Sequence, residues 1–197
     1  MTDRESLLRA VCADPEDDLP RLVFADWLQE NGEPERAELI RVQCRHAQLD
    51  PESVEAERLW ERADELLAER YEGWKAELPA RPAYGWWFFH RGFIPRLHVD
   101  DFVPSFAADL DRMFAHTPLV HLSFGDPLAA AVFVRSSHFA RIRLVYVNCD
   151  PTRDLIDALA TAEVPSHLWG ISLLRKENLT PADVKALRAK YGERVRV

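Results

Sequence analysis

The chain has 197 residues, 47% of them apolar and 29% charged, a balance that suits a folded domain. A net charge of −8, only seven glycines and three scattered cysteines argue against a basic nucleic-acid binder, a glycine-rich phosphate loop and a disulfide framework. No apolar run approaches the roughly 18–20 residues of a membrane span, and the N-terminal Met-Thr-Asp-Arg-Glu-Ser has no signal core, so a cytoplasmic protein with reduced thiols is expected.

Residues 1–80 read as helices. Thr2-x-x-Glu5 has the spacing of a capping box and precedes Leu7, Leu8 and Val11. A second helix is predicted from about Asp18, with Pro20 in its first turn, to Asn31-Gly32. Pro34 opens a third, with Ala37, Ile40 and Cys44 on one face. Beyond Asp50-Pro51, Leu59, Ala63, Leu66, Leu67, Trp74 and Leu78 mark a long fourth helix. Trp27, Trp60 and Trp74 fall on apolar stripes and are expected in the core. This front part holds 21 acidic and 10 basic residues, whereas 81–197 holds 12 and 15, which places a boundary near residue 80.

Residues 81–93 form an aromatic linker. Leu78-Pro79-Ala80-Arg81-Pro82 ends the helical part, and Gly85-Trp86-Trp87-Phe88-Phe89 reads as a strand or hairpin. These aromatics are expected to cover the open end of the segment that follows.

From residue 94 to 197 one pattern returns five times. It reads Ile94-x-x-Leu97-x-Val99, Leu119-x-x-Leu122-x-Phe124, Ile142-x-x-Val145-x-Val147, Leu168-x-x-Ile171-x-Leu173 and Gly192-x-x-Val195-x-Val197. The steps are 25, 23, 26 and 24 residues, the period of a β/α solenoid with one strand and one helix per repeat. Helical stripes lie between the strands, the last begun by Thr180-Pro181. The fold class is therefore α/β, an N-terminal helical module capping a short solenoid with parallel strands.

Side chains alternate along a strand, so the leucine positions face the core and the intervening ones face out. The outward columns are His98, Ser123, Tyr146, Ser172, Arg196 and Arg96, His121, Leu144, Gly170, Arg194. Arg96, His98, His121, Tyr146, Arg194 and Arg196 are the candidate partner-binding residues, because Tyr and Arg bring large contact area and several donors. Leu144 and Leu174 are expected to be exposed. His98 and His121 with Asp100 are too few and too loosely spaced for a metal site, and no metal or cofactor is expected.

Asp26 interrupts the apolar run Leu22-Val23-Phe24-Ala25-Asp26-Trp27-Leu28. A buried carboxylate needs a cation, so a structural ion pair of Asp26 with Arg21 or Arg41 is expected. A hydrolase using Asp26 and a histidine is a remote alternative, since neither G-x-S-x-G nor H-E-x-x-H occurs.

Leu8, Asp14-Pro15, Asp18-x-Pro20-Arg21-Leu22-Val23-Phe24-Ala25-Asp26-Trp27-Leu28, Glu30-x-Gly32 and Arg36-Ala37-Glu38-Leu39-Ile40-Arg41-x-Gln43 together resemble the bacterial repeat-companion domain, a short helical module found beside leucine-rich or other repeats. Phe89-x-Arg91-Gly92-Phe93 is similar to the linker such proteins carry before a degenerate leucine-rich region. The resemblance implies a cytoplasmic protein engaged in protein contacts and supplies no catalytic residues. The asparagine of a regular leucine-rich repeat is replaced by Phe102, Pro127, Asp150 and Lys176, which implies an irregular array.

The expectation is a non-enzymatic interaction scaffold that binds a protein partner through its strand face, with no nucleic-acid or membrane partner. The alternative is an inhibitor or immunity-type protein acting through the acidic helical module. The uncapped C-terminal repeat is an expected second edge for assembly.

Overall fold

The computed structural model describes residues 2–79, 83–86 and 88–197, with the Trp86 side chain left aside. The expectations for Ala80-Arg81-Pro82 and Trp87 lie outside the described residues. Within them the fold is mixed α/β, with eight α-helices and a six-stranded, mostly parallel sheet. No described helix is long and apolar enough to cross a membrane. The chain divides into two compact units, one drawn from 1–80, 88–95 and 112–118, the other from 81–87, 96–111 and 119–197.

The first unit contains α1 (Asp3–Ala13), α2 (Leu19–Glu30), α3 (Pro34–His46) and α4 (Val54–Lys75). Local chemistry sets their ends. Thr2 and Glu5 close a reciprocal capping box on α1, and the Ser53 hydroxyl accepts from the Ala56 N–H to start α4. Gly32, at φ +86°, ends α2 and lets the Glu33 N–H reach the Leu28 carbonyl at 2.9 Å. Leu8, Val11, Phe24, Ala25, Leu28, Ala37, Ile40, Cys44 and Phe93 form the core. Trp60 is a correction to the sequence reading: it is 60% exposed, against His46.

In the aromatic linker the expected strand forms at Tyr84–Trp86, at the edge of the sheet, and Phe89 lies elsewhere. Phe89 and Phe93 pack into the helical unit. Phe93 stacks on Phe24 at 6.1 Å between centroids, and Phe89 meets Tyr71 and Trp74 edge-on. Between these rings lies the buried Arg36 guanidinium, 4.7 Å from the Phe89 centroid, 4.9 Å from Trp74 and 5.5 Å from Phe93. Burial pulls its pKa down to about 10, since the charge has lost water.

The second unit is built on β1 (Tyr84–Trp86), β2 (Arg96–Val99), β3 (His121–Phe124), β4 (Leu144–Val147), β5 (Gly170–Leu173) and β6 (Val195–Arg196). They lie in chain order; β1 pairs antiparallel with β2, and every later pair is parallel. In the connections run α5 (Phe106–His116), α6 (Pro127–Arg135), α7 (Arg153–Thr161) and α8 (Pro181–Tyr191). Asp126, Thr152 and Thr180 cap the last three of these through their side chains. Each crossover advances by one strand, and crossovers share one hand, so the helices collect on one side of the sheet.

The registers align the repeated pattern residue for residue. Leu97, Leu122, Val145, Ile171 and Val195 form one row, and Val99, Phe124, Val147 and Leu173 the next, all buried. Phe124 meets Phe106 and Phe133 at ring distances of 6.3 and 5.6 Å. At the antiparallel edge, the Tyr84 hydroxyl and the Ser105 hydroxyl both donate to the buried Asp109 carboxylate, at 3.0 and 2.9 Å.

Candidate functional site

The face of the sheet away from the apolar rows carries the outward columns. The registers place Arg96 beside His121 beside Leu144 beside Gly170, and His98 beside Ser123 beside Tyr146 beside Ser172 beside Arg196. Not every position is open. Ser172 is buried, and Leu144 is half-buried because its Cδ1 lies over Gly170, 3.5 Å from where a Cβ would stand. Leu144 therefore differs from its expected exposure, whereas Leu174 is 62% exposed. Tyr146 is 37% exposed.

Arg96, His121, Ser123, Leu144 and Tyr146 line a cleft of about 100 Å³ on this face. Of the six predicted binding residues, the cleft gathers Arg96, His121 and Tyr146. His98 lies beside it on β2. Arg196 is exposed on β6, two strands beyond β4, and Arg194 is exposed in the turn entering β6.

At the strand entries the same side carries an aromatic group. Trp169 is 60% exposed, its ring 6.1 Å from that of His121, with the Arg143 guanidinium 5.1 Å from its centroid. The Trp169 N–H donates to the Arg143 carbonyl at 2.7 Å, which fixes the pair's spacing.

His98 and His121 are not paired across the strands. The register sets His98 opposite Ser123, and Nδ1 lies 2.7 Å from Ser123 Oγ while Nε2 lies 3.0 Å from Asp100 Oδ1. A carboxylate can only accept, so in the neutral ring Nε2 carries the hydrogen and Nδ1 accepts from the serine hydroxyl. Asp100 follows β2 directly, and its position is set by backbone. The Gly125 N–H donates to the Val99 carbonyl at 2.8 Å, and a Cβ at Gly125 would stand 2.9 Å from the Asp100 carbonyl oxygen. Sequence reasoning set His98 beside Asp100 only as metal-ligand candidates and did not join them to Ser123, although the 25-residue step from His98 to Ser123 was the available signal.

Asp26 forms the expected ion pair with Arg41, Nη2 to Oδ1 at 2.7 Å, but its side chain is 71% exposed where burial was expected. Arg21, not Asp26, is the buried group, and it donates to the carbonyls of Asp17 and Pro15 at 2.9 and 2.8 Å. Among the described residues no group of three or more His, Cys, Asp or Glu is placed to hold a metal ion. Comparison with protein families, characterised proteins and solved structures yields no match.

Proposed function

We propose that the outward strand face binds a protein partner, and that residues 94–197 form an irregular leucine-rich-repeat-like β/α array which presents it. The observation that carries this reading is the exposure of Tyr146 on β4 and of Trp169 and Leu174 at the two ends of β5, in the unit that also carries Arg96, Arg194 and Arg196. Large apolar groups left in water beside arginines match the centre and rim of a contact surface. The spacing of the cations favours a partner with acidic groups around an apolar patch. On this reading residues 1–80 are a repeat-companion-type module, in keeping with the resemblance of Glu5–Gln43. The acidic module is the weaker candidate surface, since Glu35, Glu38 and Glu55 already pair with its own Arg70, Arg62 and Arg45.

The test is affinity capture from native lysate with the unaltered chain and with a variant carrying Arg96→Ala, Tyr146→Ala and Arg196→Ala. The variant should keep its urea midpoint and lose the partner recovered with the unaltered chain. Full recovery by the folded variant would overturn the strand-face reading.

A further inference from the structure

We infer that Ser123, His98 and Asp100 form a serine-nucleophile relay able to hydrolyse a small acyl ester on the strand face. The three side chains are hydrogen-bonded in series, at 2.7 Å from Ser123 Oγ to His98 Nδ1 and 3.0 Å from His98 Nε2 to Asp100 Oδ1. These are the contacts by which a base activates a hydroxyl and a carboxylate orients the base. The imidazole is attached through the opposite nitrogens to those of the serine proteases, which leaves the proton path intact.

Further features bear on substrate placement and on the base. Ser123 opens onto the cleft of about 100 Å³ whose apolar wall is Leu144. The space is large enough for an acetyl-sized group. Tyr146 is Ser123's neighbour in the register and lines the same cleft, and its hydroxyl makes no hydrogen bond among the described residues. With Arg96 also in the lining, the cleft carries donor side chains of the kind that stabilise a developing oxyanion. Asp100 is held by the backbone clamp at Gly125 and acts as a positioning residue.

In the first step Ser123 Oγ bonds to the ester carbonyl carbon and its proton passes to His98 Nδ1. Collapse of the tetrahedral adduct breaks the carbon–oxygen bond to the alcohol, which leaves with that proton. Water then attacks the acyl-serine, giving its proton to His98. The second collapse returns the proton to Ser123 Oγ and frees the carboxylic acid. One ester and one water become one acid and one alcohol. This activity is independent of the binding reading, and either can fail alone.

The test uses the full chain with p-nitrophenyl acetate and with a fluorophosphonate probe mapped by peptide mass spectrometry. The probe should mark Ser123, and the mark should disappear in His98→Gln. Ser123→Ala should lower p-nitrophenol release about 100-fold or more, to near the rate given by free histidine, in line with loss of an activated nucleophile. Asp100→Asn should lower kcat about tenfold or more with KM unchanged, as expected for a residue that orients the base and does not bind substrate. Should the alanine variant misfold, Ser123→Cys treated with iodoacetamide at neutral pH reads the same base, and its introduced thiol should be alkylated ahead of Cys149. Probe scattered over surface serines, or full turnover in folded Ser123→Ala, would overturn the inference, as would an introduced thiol no faster than Cys149.

Discussion

The backbone N–H of Gly92 donates to Gln43 Oε1 at 2.8 Å, and this contact seats the turn that carries Phe89 and Phe93 into the helical unit. Gln43 Nε2 also donates to the Phe89 carbonyl at 3.2 Å, so one side chain satisfies both ends of the turn. His90 and Phe93 exchange both backbone bonds, at 2.7 and 3.1 Å, around Arg91 and Gly92 with φ of 50° and 80°. A two-residue turn with both central residues left-handed is the form that matches strand twist, and it favours glycine at the second position. A Cβ on Gly92 would also stand 2.2 Å from Ile40 Cγ1.

Gly92→Ala is therefore expected to lower stability by about 2–4 kcal/mol, combining left-handed strain with overpacking against Ile40. Gln43→Ala should cost about 1–2 kcal/mol for the lost hydrogen bonds. Urea unfolding followed by tryptophan fluorescence measures both, and a Gly92→Ala midpoint equal to that of the parent would show that the turn does not hold the segment.

Arg36 sits among three rings with no ion pair among the described residues, so its charge is a burden that the rings only partly offset. Arg36→Met keeps the length of the side chain and removes the charge. Its unfolding free energy should match or exceed the parent's, by up to about 1 kcal/mol. Arg36→Ala leaves a cavity among the rings and should lose about 2–4 kcal/mol. A Met variant as damaged as the Ala variant would mean that the charge itself is required.

Asp183 links two helix starts. It accepts from both Nη atoms of Arg153 at 2.7 and 3.0 Å, and from the Thr180 hydroxyl and N–H at 2.6 and 2.9 Å. The Arg153 bonds first, then those of Thr180, hold its carboxyl well below the usual carboxylate range. A depressed carboxylate contributes stability that is complete above its unfolded pKa, about 4, and is lost as pH falls through the folded value. The gap in melting temperature between parent and Asp183→Asn should be constant above about pH 5 and narrow steadily below about pH 4. A gap that does not vary from pH 7 to pH 2 would remove the carboxylate from the explanation.

Thiol reactivity should follow burial. Cys12 and Cys44 are buried, and burial reinforced by Asp18 pushes the Cys44 thiol up to about 12, so it stays protonated at neutral pH. Cys149 is half-buried with its thiol also pushed up by burial. Dithiobis(nitrobenzoate) at pH 7.5 should titrate at most Cys149, slowly, in the native protein and all three thiols in urea. Rapid native reaction that persists in Cys149→Ser would contradict this packing.

Much of the fold was legible because its signals are local. The helix starts at Thr2, Pro34 and Thr180 followed from capping and proline chemistry, and the strand rows followed from a period near 25 residues. Asp26 was misread for a reason of geometry. Leu19, Val23, Asp26 and Glu30 share one stripe at helical spacing, and that stripe faces solvent, Leu19 and Val23 included. An apolar run interrupted only by Asp26 hid the face on which the carboxylate lies.

Local pattern was enough to tell which residues alternate in and out of the strands, where helices begin, and that His98, Ser123 and Tyr146 occupy equivalent places along neighbouring strands. These follow from backbone periods and caps, which act over a few residues. It took long-range packing to set Phe89 and Phe93 around Arg36 beside the helices, to fold Leu144 over Gly170, and to turn Asp100 back onto His98 in line with Ser123. Those outcomes depend on space left by distant parts of the chain, such as the missing Cβ of Gly92, Gly125 and Gly170, and no local pattern records it.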